Sequence, residues 1–314
     1  MRSALTLMLA LALGGCASTP PWPDTPTNTD RTLLTHVPFY PQEQYQCGPA
    51  ALAMMLGSQG VSETPDALVD KVYLPERHGS LQVEMVAAAR QYGLLVYPLA
   101  PTLDAVIQEV NHGNPVLVMQ NLRFGWWPQW HFAVVIGYDE AAQELILHSG
   151  TERNYHQPLA AFMATWDRTD NWARVMLPPS QLPATAEPLP FLRAANDLET
   201  THQTDAARTA YATALATWPD QPAAQLGLGN IAFAEGDWPQ AAGRYASLTR
   251  DFPRLSAGWN NYGEALEQLD CPQAAQQARH CAATLNPERF EAAAAEVGDD
   301  ETGRDCPVID CPAP

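Results

Sequence analysis

The sequence predicts an α+β domain followed by an all-α repeat domain. Three observations support this division: helical periodicity gives way to short apolar runs before residue 177, a proline-rich segment follows, and a 34-residue repeat occupies the rest. Helices followed by strands favour an antiparallel sheet, whereas repeated helix pairs favour a stacked solenoid. With 314 residues, 46% hydrophobic and 17% charged, the chain is long enough for about two domains.

The N-terminus has the pattern of an export signal. Arg2 precedes an apolar run of about ten residues that ends in LGGC, whose cysteine is Cys16. Such a run is too short to span a bilayer as a helix. The motif resembles a bacterial lipoprotein signal, which implies that residues 1–15 are removed and Cys16 is acylated; ordinary secretory cleavage near Ala17 is the alternative. The resemblance further implies a periplasm-facing lipoprotein of the outer membrane, with residues 16–34 as a proline-rich tether.

Charge and cysteine spacing limit the classes of partner. The formal net charge of −18 makes nucleic acid and anionic lipid poor partners, and a basic or neutral peptide a better one. The sequence contains neither a CxxC motif nor a Cys/His cluster of zinc spacing. We therefore expect no metal or other cofactor.

The C-terminal cysteines predict two disulfides. Cys271, Cys281, Cys306 and Cys311 are even in number, and an exported protein meets an oxidising environment. If the first two lie on one helix, their ten-residue spacing separates them by about 15 Å, too far to bridge. Each is therefore expected to pair with a cysteine of the tail, residues 299–314, and to staple that tail to the last helix. Which pairs with which stays open.

The first domain is organised around residues 37–56, VPFYPQEQYQCGPAALAMML, which place Cys47 at the start of an apolar helix. Alanine, leucine and methionine favour a helix, and Pro49 suits its first turn. The unpaired amides and the positive dipole end are expected to lower the thiol pKa of Cys47. Cys47 is a candidate nucleophile; the alternative is a small buried apolar residue.

The following elements change from helix to strand. Helices are predicted at residues 63–74, 80–92 and 102–111, with Thr102 as an N-cap, and strands at residues 115–119, 132–138, 144–147 and 173–177. His131 opens the second strand, after a loop with Trp126, Trp127 and Trp130 that either packs or narrows a cleft. An imidazole on a strand and a cysteine at a helix start can exchange a proton, forming an activated thiolate.

These motifs resemble a known family. The run QEQYQCGPAALAMM, followed by PVLVM, HFAVVIGYD and a closing strand, is similar to papain-like cysteine peptidases related to the double-glycine leader peptidases of bacteriocin exporters, over residues 35–179. The resemblance implies that Cys47 is the nucleophile and His131 the general base and acid. It also implies a glutamine that donates to the oxyanion together with the Cys47 amide. Gln42 is the candidate, with Gln44 and Gln46 as alternatives.

The third catalytic position departs from the family pattern. The family usually has Asp or Asn on the strand after the histidine, where this chain reads LILHSG. Ser149, or else His148, takes that place, and Asp139 or Asn154 are substitutes from elsewhere. A serine orients an imidazole more weakly than a carboxylate, although a Cys-His dyad still functions. Cell-wall amidases are a weaker match because they usually have Ser-Gly after the cysteine.

The second domain follows a proline-rich linker, residues 180–190. Pro219, Pro253 and Pro287 are spaced by 34 residues twice, and Ala195, Gly229 and Gly263 recur at the same interval. Small residues let paired helices approach closely, and proline ends the second helix. This is the tetratricopeptide pattern, with three repeats and a partial capping helix over residues 191–298.

The sequence thus predicts a membrane-anchored cysteine peptidase that cleaves an exported peptide or protein through a Cys-His thiolate and an acyl-enzyme. The concave face of the repeats is expected to recruit substrate or a protein partner. The alternative is a non-catalytic, peptidase-like scaffold, because Ser149 is a weak orienting group.

Overall fold

A computed structural model describes residues 21–24, 29–41, 47–77, 79–290 and 306–313, without the side chain of Arg77. These residues form two compact units, one built on a β-sheet and one built on helices. The predicted fold class, α+β followed by all-α, is therefore confirmed. The signal segment, Cys16, Gln42 with its two alternatives, and most of the predicted capping helix lie outside the described residues.

The elements up to residue 177 are mixed. In chain order they are β1 (Arg31–Leu33), α1 (Cys47–Ser58), α2 (Pro65–Val72), α3 (Gln82–Gln91), β2 (Leu95–Pro98), α4 (Leu103–Asn111), β3 (Val116–Asn121), β4 (Trp130–Asp139), β5 (Glu144–Ser149), β6 (Glu152–Pro158), α5 (Leu159–Trp166) and β7 (Ala173–Leu177). The three predicted helices after α1 and all four predicted strands are present. The Thr102 side chain accepts from the Ala105 amide at 3.3 Å, so the predicted N-cap is confirmed.

The sheet has the strand order β2-β7-β3-β4-β5-β6, and β1 pairs with β4 beyond the end of β3. Strand β4 pairs antiparallel with β1, β3 and β5, as predicted. Strand β4 is central and buried from Phe132 to Tyr138. Its first residues therefore hold a fixed position at one end of the sheet.

Helix α1 is the central helix of this unit. It is apolar on all sides, and every residue from Gly48 to Leu56 is buried. A helix without a polar face is stable only when protein surrounds it completely, so α1 is enclosed by its neighbours rather than laid on the surface. This burial fixes the position of its N-terminus, where Cys47 lies.

The second unit consists of six helices in three pairs: α6 (Pro188–Thr200), α7 (Thr204–Thr217), α8 (Pro222–Ala234), α9 (Trp238–Asp251), α10 (Ser256–Gln268) and α11 (Pro272–Leu285). The second helix of each pair ends two residues before the repeated proline. A Cβ added to Gly229 would lie 2.5 Å from a ring carbon of Tyr245, and one added to Gly263 would lie 2.9 Å from the Ala275 carbonyl oxygen. The predicted role of these small residues is confirmed.

The tail is tied to the last helix pair as predicted. Cys271 pairs with Cys306, and Cys281 pairs with Cys311. Between the bridges, Ile309 is only 4% exposed and belongs to the apolar core of the repeats. The tail thus covers apolar surface at the end of the solenoid. Among the described residues, no helix is both long and apolar enough to cross a membrane.

Candidate active site

Cys47 lies where helix α1 meets strand β4. Hydrogen bonding by backbone groups of Phe132, of Gly48 and of Cys47 itself lowers the pKa of its thiol, which places these groups beside the sulfur. Phe132 directly follows His131 on β4, so the start of the helix and the histidine-bearing end of the strand converge. Cys47 is half-buried and is the free cysteine of the described residues.

Gly48 lets the start of α1 lie against the chain that leads into α3. A Cβ at this position would lie 2.0 Å from the Ser80 hydroxyl oxygen and 3.3 Å from the Met85 sulfur. Any side chain would therefore push the helix start away from the chain that leads into α3. The buried Ser80 hydroxyl has no hydrogen-bond partner among the described residues. Sequence reasoning did not detect Ser80, since a lone serine before a helix gives no signal of this contact.

His131 is held by Ser149. The Nε2 atom of His131 lies 2.9 Å from the Ser149 hydroxyl oxygen, and both side chains are half-buried. Because Ser149 engages Nε2, the ring nitrogen left for a thiol proton is Nδ1. The strand register brings Ser149, at the end of β5, close to the first residues of β4.

The alternatives to Ser149 have other partners. His148 is 2% exposed; its Nδ1 accepts the Asn154 amide at 3.3 Å, which leaves Nε2 to donate to the Val37 carbonyl at 3.4 Å. Asp139 lies at the far end of β4, where its carboxylate is 3.6 Å from the Arg31 guanidinium. His148 and Asn154 thus contribute to packing near the chain that enters α1. Of these four candidates for the orienting residue, Ser149 is the one that the structure shows hydrogen-bonded to His131.

Burial reverses the expected electrostatics of the thiol. The prediction that the helix start lowers the pKa of Cys47 is wrong: burial raises that pKa, and the opposing hydrogen bonds from the backbone are too weak to compensate. Burial also lowers the pKa of His131 to about 4. Both groups are therefore neutral at pH 7 when no substrate is bound, so proton exchange between them begins from a thiol and a neutral imidazole.

The tryptophans before His131 do not pack into the core. Trp126, Trp127 and Trp130 are exposed, together with Phe124.

The described residues contain no group of three or more His, Cys, Asp or Glu side chains that could hold a metal ion.

Comparison with known proteins assigns both units. Residues 34–173 match the Peptidase_C39 like family, and residues 192–246 match a tetratricopeptide repeat. The first unit has a C39-like peptidase fold. The chain is similar to a proposed C39-like peptidase from Bacillus anthracis, whose crystal structure is 16% identical, with 47% of this chain and 97% of that chain covered at a TM-score of 0.40. No curated protein matches the chain.

The C39-like unit has the parts that thiol acyl transfer needs. A thiol, a neutral imidazole held through its distal nitrogen and convergent backbone amides are arranged at one end of the sheet. A neutral imidazole can accept a proton from a neutral thiol as the sulfur attacks, and amides at a helix start can stabilise the oxyanion that forms. The site therefore suits attack on a carbonyl carbon.

Proposed function

We propose that this protein is a cysteine peptidase that cleaves an exported peptide or protein. The observation that carries the proposal is the arrangement of Cys47 and His131: the thiol lies beside the backbone of Phe132, the residue after His131, and the Ser149 hydroxyl lies 2.9 Å from Nε2 of the imidazole. The match of residues 34–173 to the Peptidase_C39 like family supports the same reaction class.

The reaction begins from neutral groups. When the substrate carbonyl reaches Cys47, Nδ1 of His131 accepts the thiol proton as the sulfur attacks the carbonyl carbon. The tetrahedral oxyanion collapses to a thioester, and the imidazolium returns its proton to the departing amine. Water then attacks the thioester carbonyl as His131 accepts one of its protons; the C–S bond breaks, the imidazolium returns that proton to the Cys47 sulfur, and the carboxylic acid product leaves.

The oxyanion is assigned to two kinds of donor. The Cys47 amide lies at the start of α1, where backbone N–H groups have no partner within the helix. Gln42 is proposed as the side-chain donor, by resemblance to the family and by its place shortly before the nucleophile. Loss of one such donor typically lowers the rate by ~10²–10³. A Gln42→Ala variant should show that loss, whereas Gln44→Ala and Gln46→Ala should not.

Location and recruitment complete the proposal. The LGGC motif supports acylation of Cys16 and attachment to the outer membrane, facing the periplasm. Labelling cells with a clickable fatty acid should mark the chain, and Cys16→Ser should abolish the mark.

The repeats are proposed to recruit substrate or a protein partner. A chain shortened to residues 1–190 should then keep its cleavage of small peptides while its capture of a natural partner weakens.

The decisive test uses an epoxysuccinyl peptide, an electrophile that alkylates the nucleophile of cysteine peptidases. We expect a single alkylated residue, Cys47, with a second-order rate ~10²–10⁴ above that of His131→Ala, because general-base catalysis contributes about that factor. Cys47→Ser is the control for labelling at any other site. Equal rates in the native chain and in His131→Ala would contradict the proposal.

A second function has a specific observation in its favour. The raised pKa of Cys47 and the pKa of about 4 at His131 leave the resting site unactivated, and Ser149 is a weaker support than a carboxylate. A non-catalytic adaptor that retains a peptidase-like fold would show these properties. It would bind peptide without cleaving it, and Cys47→Ala would retain full biological activity.

A further inference from the structure

The hairpin between β3 and β4 exposes four aromatic side chains. This aromatic hairpin, defined as residues 121–130, leaves its rings largely in solvent: Phe124 is 63% exposed, Trp126 79%, Trp127 61% and Trp130 49%. The Phe124 and Trp126 rings are stacked with centroids 5.7 Å apart, and Trp127 lies 6.1 Å from Trp126. Phe124, Trp126 and Trp127 thus form one exposed aromatic patch, which distinguishes them from the single apolar residues common on protein surfaces.

The backbone beneath these rings is held in place. The Asn121 side chain accepts the amides of Arg123 and Gln129, at 3.1 and 2.9 Å, and so ties both arms of the hairpin together. From outside the hairpin, the Arg168 guanidinium donates to the carbonyls of Asn121 and Arg123 at 3.1 and 2.7 Å. A prearranged surface loses little conformational freedom on binding, and exposed tryptophans on such a surface are typical of binding sites.

The position of the hairpin favours a peptide substrate as its ligand. Trp130 directly precedes His131 on β4, so the base of the hairpin lies at the end of the strand that carries the candidate active site. The proposed membrane tether enters at the other end of this strand, where Arg31 pairs with Asp139. At about 3.3 Å per residue, the two ends of β4 lie roughly 30 Å apart. A membrane-facing hairpin would therefore lie away from the point where the tether joins the sheet.

The low charge of the hairpin also favours an apolar ligand. Residues 121–130 contain one cation, Arg123, and no carboxylate, in a chain of formal charge −18. The Arg123 Nε donates to Gln129 at 2.8 Å, and its guanidinium carbon lies 5.8 Å from the Trp127 ring centroid. The hairpin thus offers rings and one internally bonded cation, a surface suited to apolar side chains.

We propose that the aromatic hairpin binds apolar side chains of the peptide substrate and so sets the specificity of cleavage at Cys47. This inference rests on the proposed function and deepens it by naming the substrate class: extended peptides with leucine or aromatic residues near the scissile bond. The rings position substrate and take no part in proton transfer. Their removal should therefore weaken recognition without changing the reactivity of the thiol.

The test compares two epoxysuccinyl probes that carry peptide arms on both sides of the reactive carbons, so that either side of the scissile bond is sampled. One has Leu-Phe arms and the other Ser-Asn arms. In the native chain the Leu-Phe probe should alkylate Cys47 at least ~10-fold faster, since burying one large apolar side chain is worth about that factor. In Trp126→Ser/Trp127→Ser this ratio should fall towards one.

Three controls separate the possible outcomes. Iodoacetamide, which has no peptide arms, should alkylate Cys47 equally in the native and double-serine chains. Val83→Ser removes a different exposed apolar side chain of the same unit, 64% exposed on α3, and should leave the ratio intact. In Cys47→Ala the two probes bind reversibly, so their Kd values measured by calorimetry report recognition even if the chemistry of the proposed function fails.

Specific results would overturn the inference. One is an unchanged probe ratio in the double-serine chain, or equal Kd values for the two probes in Cys47→Ala. Another is that the double substitution abolishes flotation with phosphatidylcholine vesicles, or converts a dimer to a monomer in sedimentation, without changing the probe ratio; the hairpin would then bind a membrane or a second copy of the chain. Loss of His131 dependence alone would instead contradict the proposed function and leave the binding result standing.

Discussion

The two units of this protein use cysteine in opposite ways. The sheet unit keeps Cys47 as a free thiol at the start of a buried helix, whereas the helical unit engages all four of its cysteines in disulfides. In the sheet unit the surroundings are fixed by packing around α1, so a thiol can be held without a crosslink. In the helical unit, two disulfides hold the tail against the last helix pair, where Ile309 enters the apolar core.

The comparison teaches how location decides the role of a residue type. Backbone groups of a helix and of a strand lie beside the Cys47 sulfur and favour its thiolate form. Such surroundings suit a thiol that must lose its proton during a reaction. Cys271 and Cys281 face the tail across Cα distances of 5.7 and 5.1 Å, within the range that a disulfide requires. A change at one set of cysteines should therefore leave the other unit unaffected.

The largest effect on stability is expected from the tail. In Cys306→Ser/Cys311→Ser, two loops with sequence separations of 35 and 30 residues are opened, and each disulfide should contribute about 2–4 kcal/mol to the unfolding free energy. Hydrogen exchange followed by mass spectrometry should show faster exchange in peptides from α10 and α11. Alkylation of Cys47 should be unchanged. Cys47→Ser is the matched control and should alter neither helix. A parallel loss of Cys47 reactivity would break the comparison.

A smaller effect is expected where Gly48 meets Ser80. Gly48→Ala forces a methyl group to within 2.0 Å of the Ser80 oxygen, and such overpacking costs about 1–3 kcal/mol. Exchange should accelerate in α1 and not in α10, and Cys47 alkylation should slow because the helix start moves. Ser80→Gly removes both atoms that clash, so adding it to Gly48→Ala should restore much of the loss. Additive effects of the two substitutions would contradict the packing argument.

The smallest effect is expected at Ser149. Ser149→Ala removes one neutral hydrogen bond to His131, which lowers the alkylation rate by up to ~10-fold, since such a bond contributes about 0.5–1.5 kcal/mol. Ser149→Asn retains a hydrogen-bonding group and should recover part of the rate. Probe affinity in Cys47→Ala should not change, because the imidazole orientation affects chemistry and not recognition. An unchanged rate in Ser149→Ala would show that His131 needs no orienting group.

Much of the fold could be predicted because it is specified locally. The repeats recur every 34 residues, and each helix pair contacts mainly its neighbours, so spacing alone indicates the architecture. The helix caps and the apolar run of α1 are likewise specified by residues that are adjacent in sequence. By contrast, β1, β2 and β6 were not predicted. Strand β6, ERNYHQP, is polar and mostly exposed, and its conformation depends on pairing with β5 rather than on its own periodicity.

The sequence indicated candidate residues for the site but not their electrostatics. A cysteine at a helix start and a histidine on a strand can be recognised from sequence. The degree of burial around them cannot, because it depends on how β4, α1 and their neighbours pack. Desolvation therefore overturned the expected pKa of Cys47. Likewise, the exposure of the aromatic hairpin follows from its backbone bonds to Asn121 and Arg168, which no local pattern reveals.

The pH dependence of Cys47 alkylation by the epoxysuccinyl peptide tests the central claim most directly. Burial lowers the pKa of His131 to about 4, so the neutral base is present above that pH and lost below it. The rate in the native chain should therefore rise as pH increases through about 4 and then stay level to pH 8, because the thiol pKa is raised. This plateau should vanish in His131→Ala, where the rate should climb with thiolate formation alone. An acid limb near the ordinary histidine value of about 6.5, or the same profile in both chains, would contradict the account.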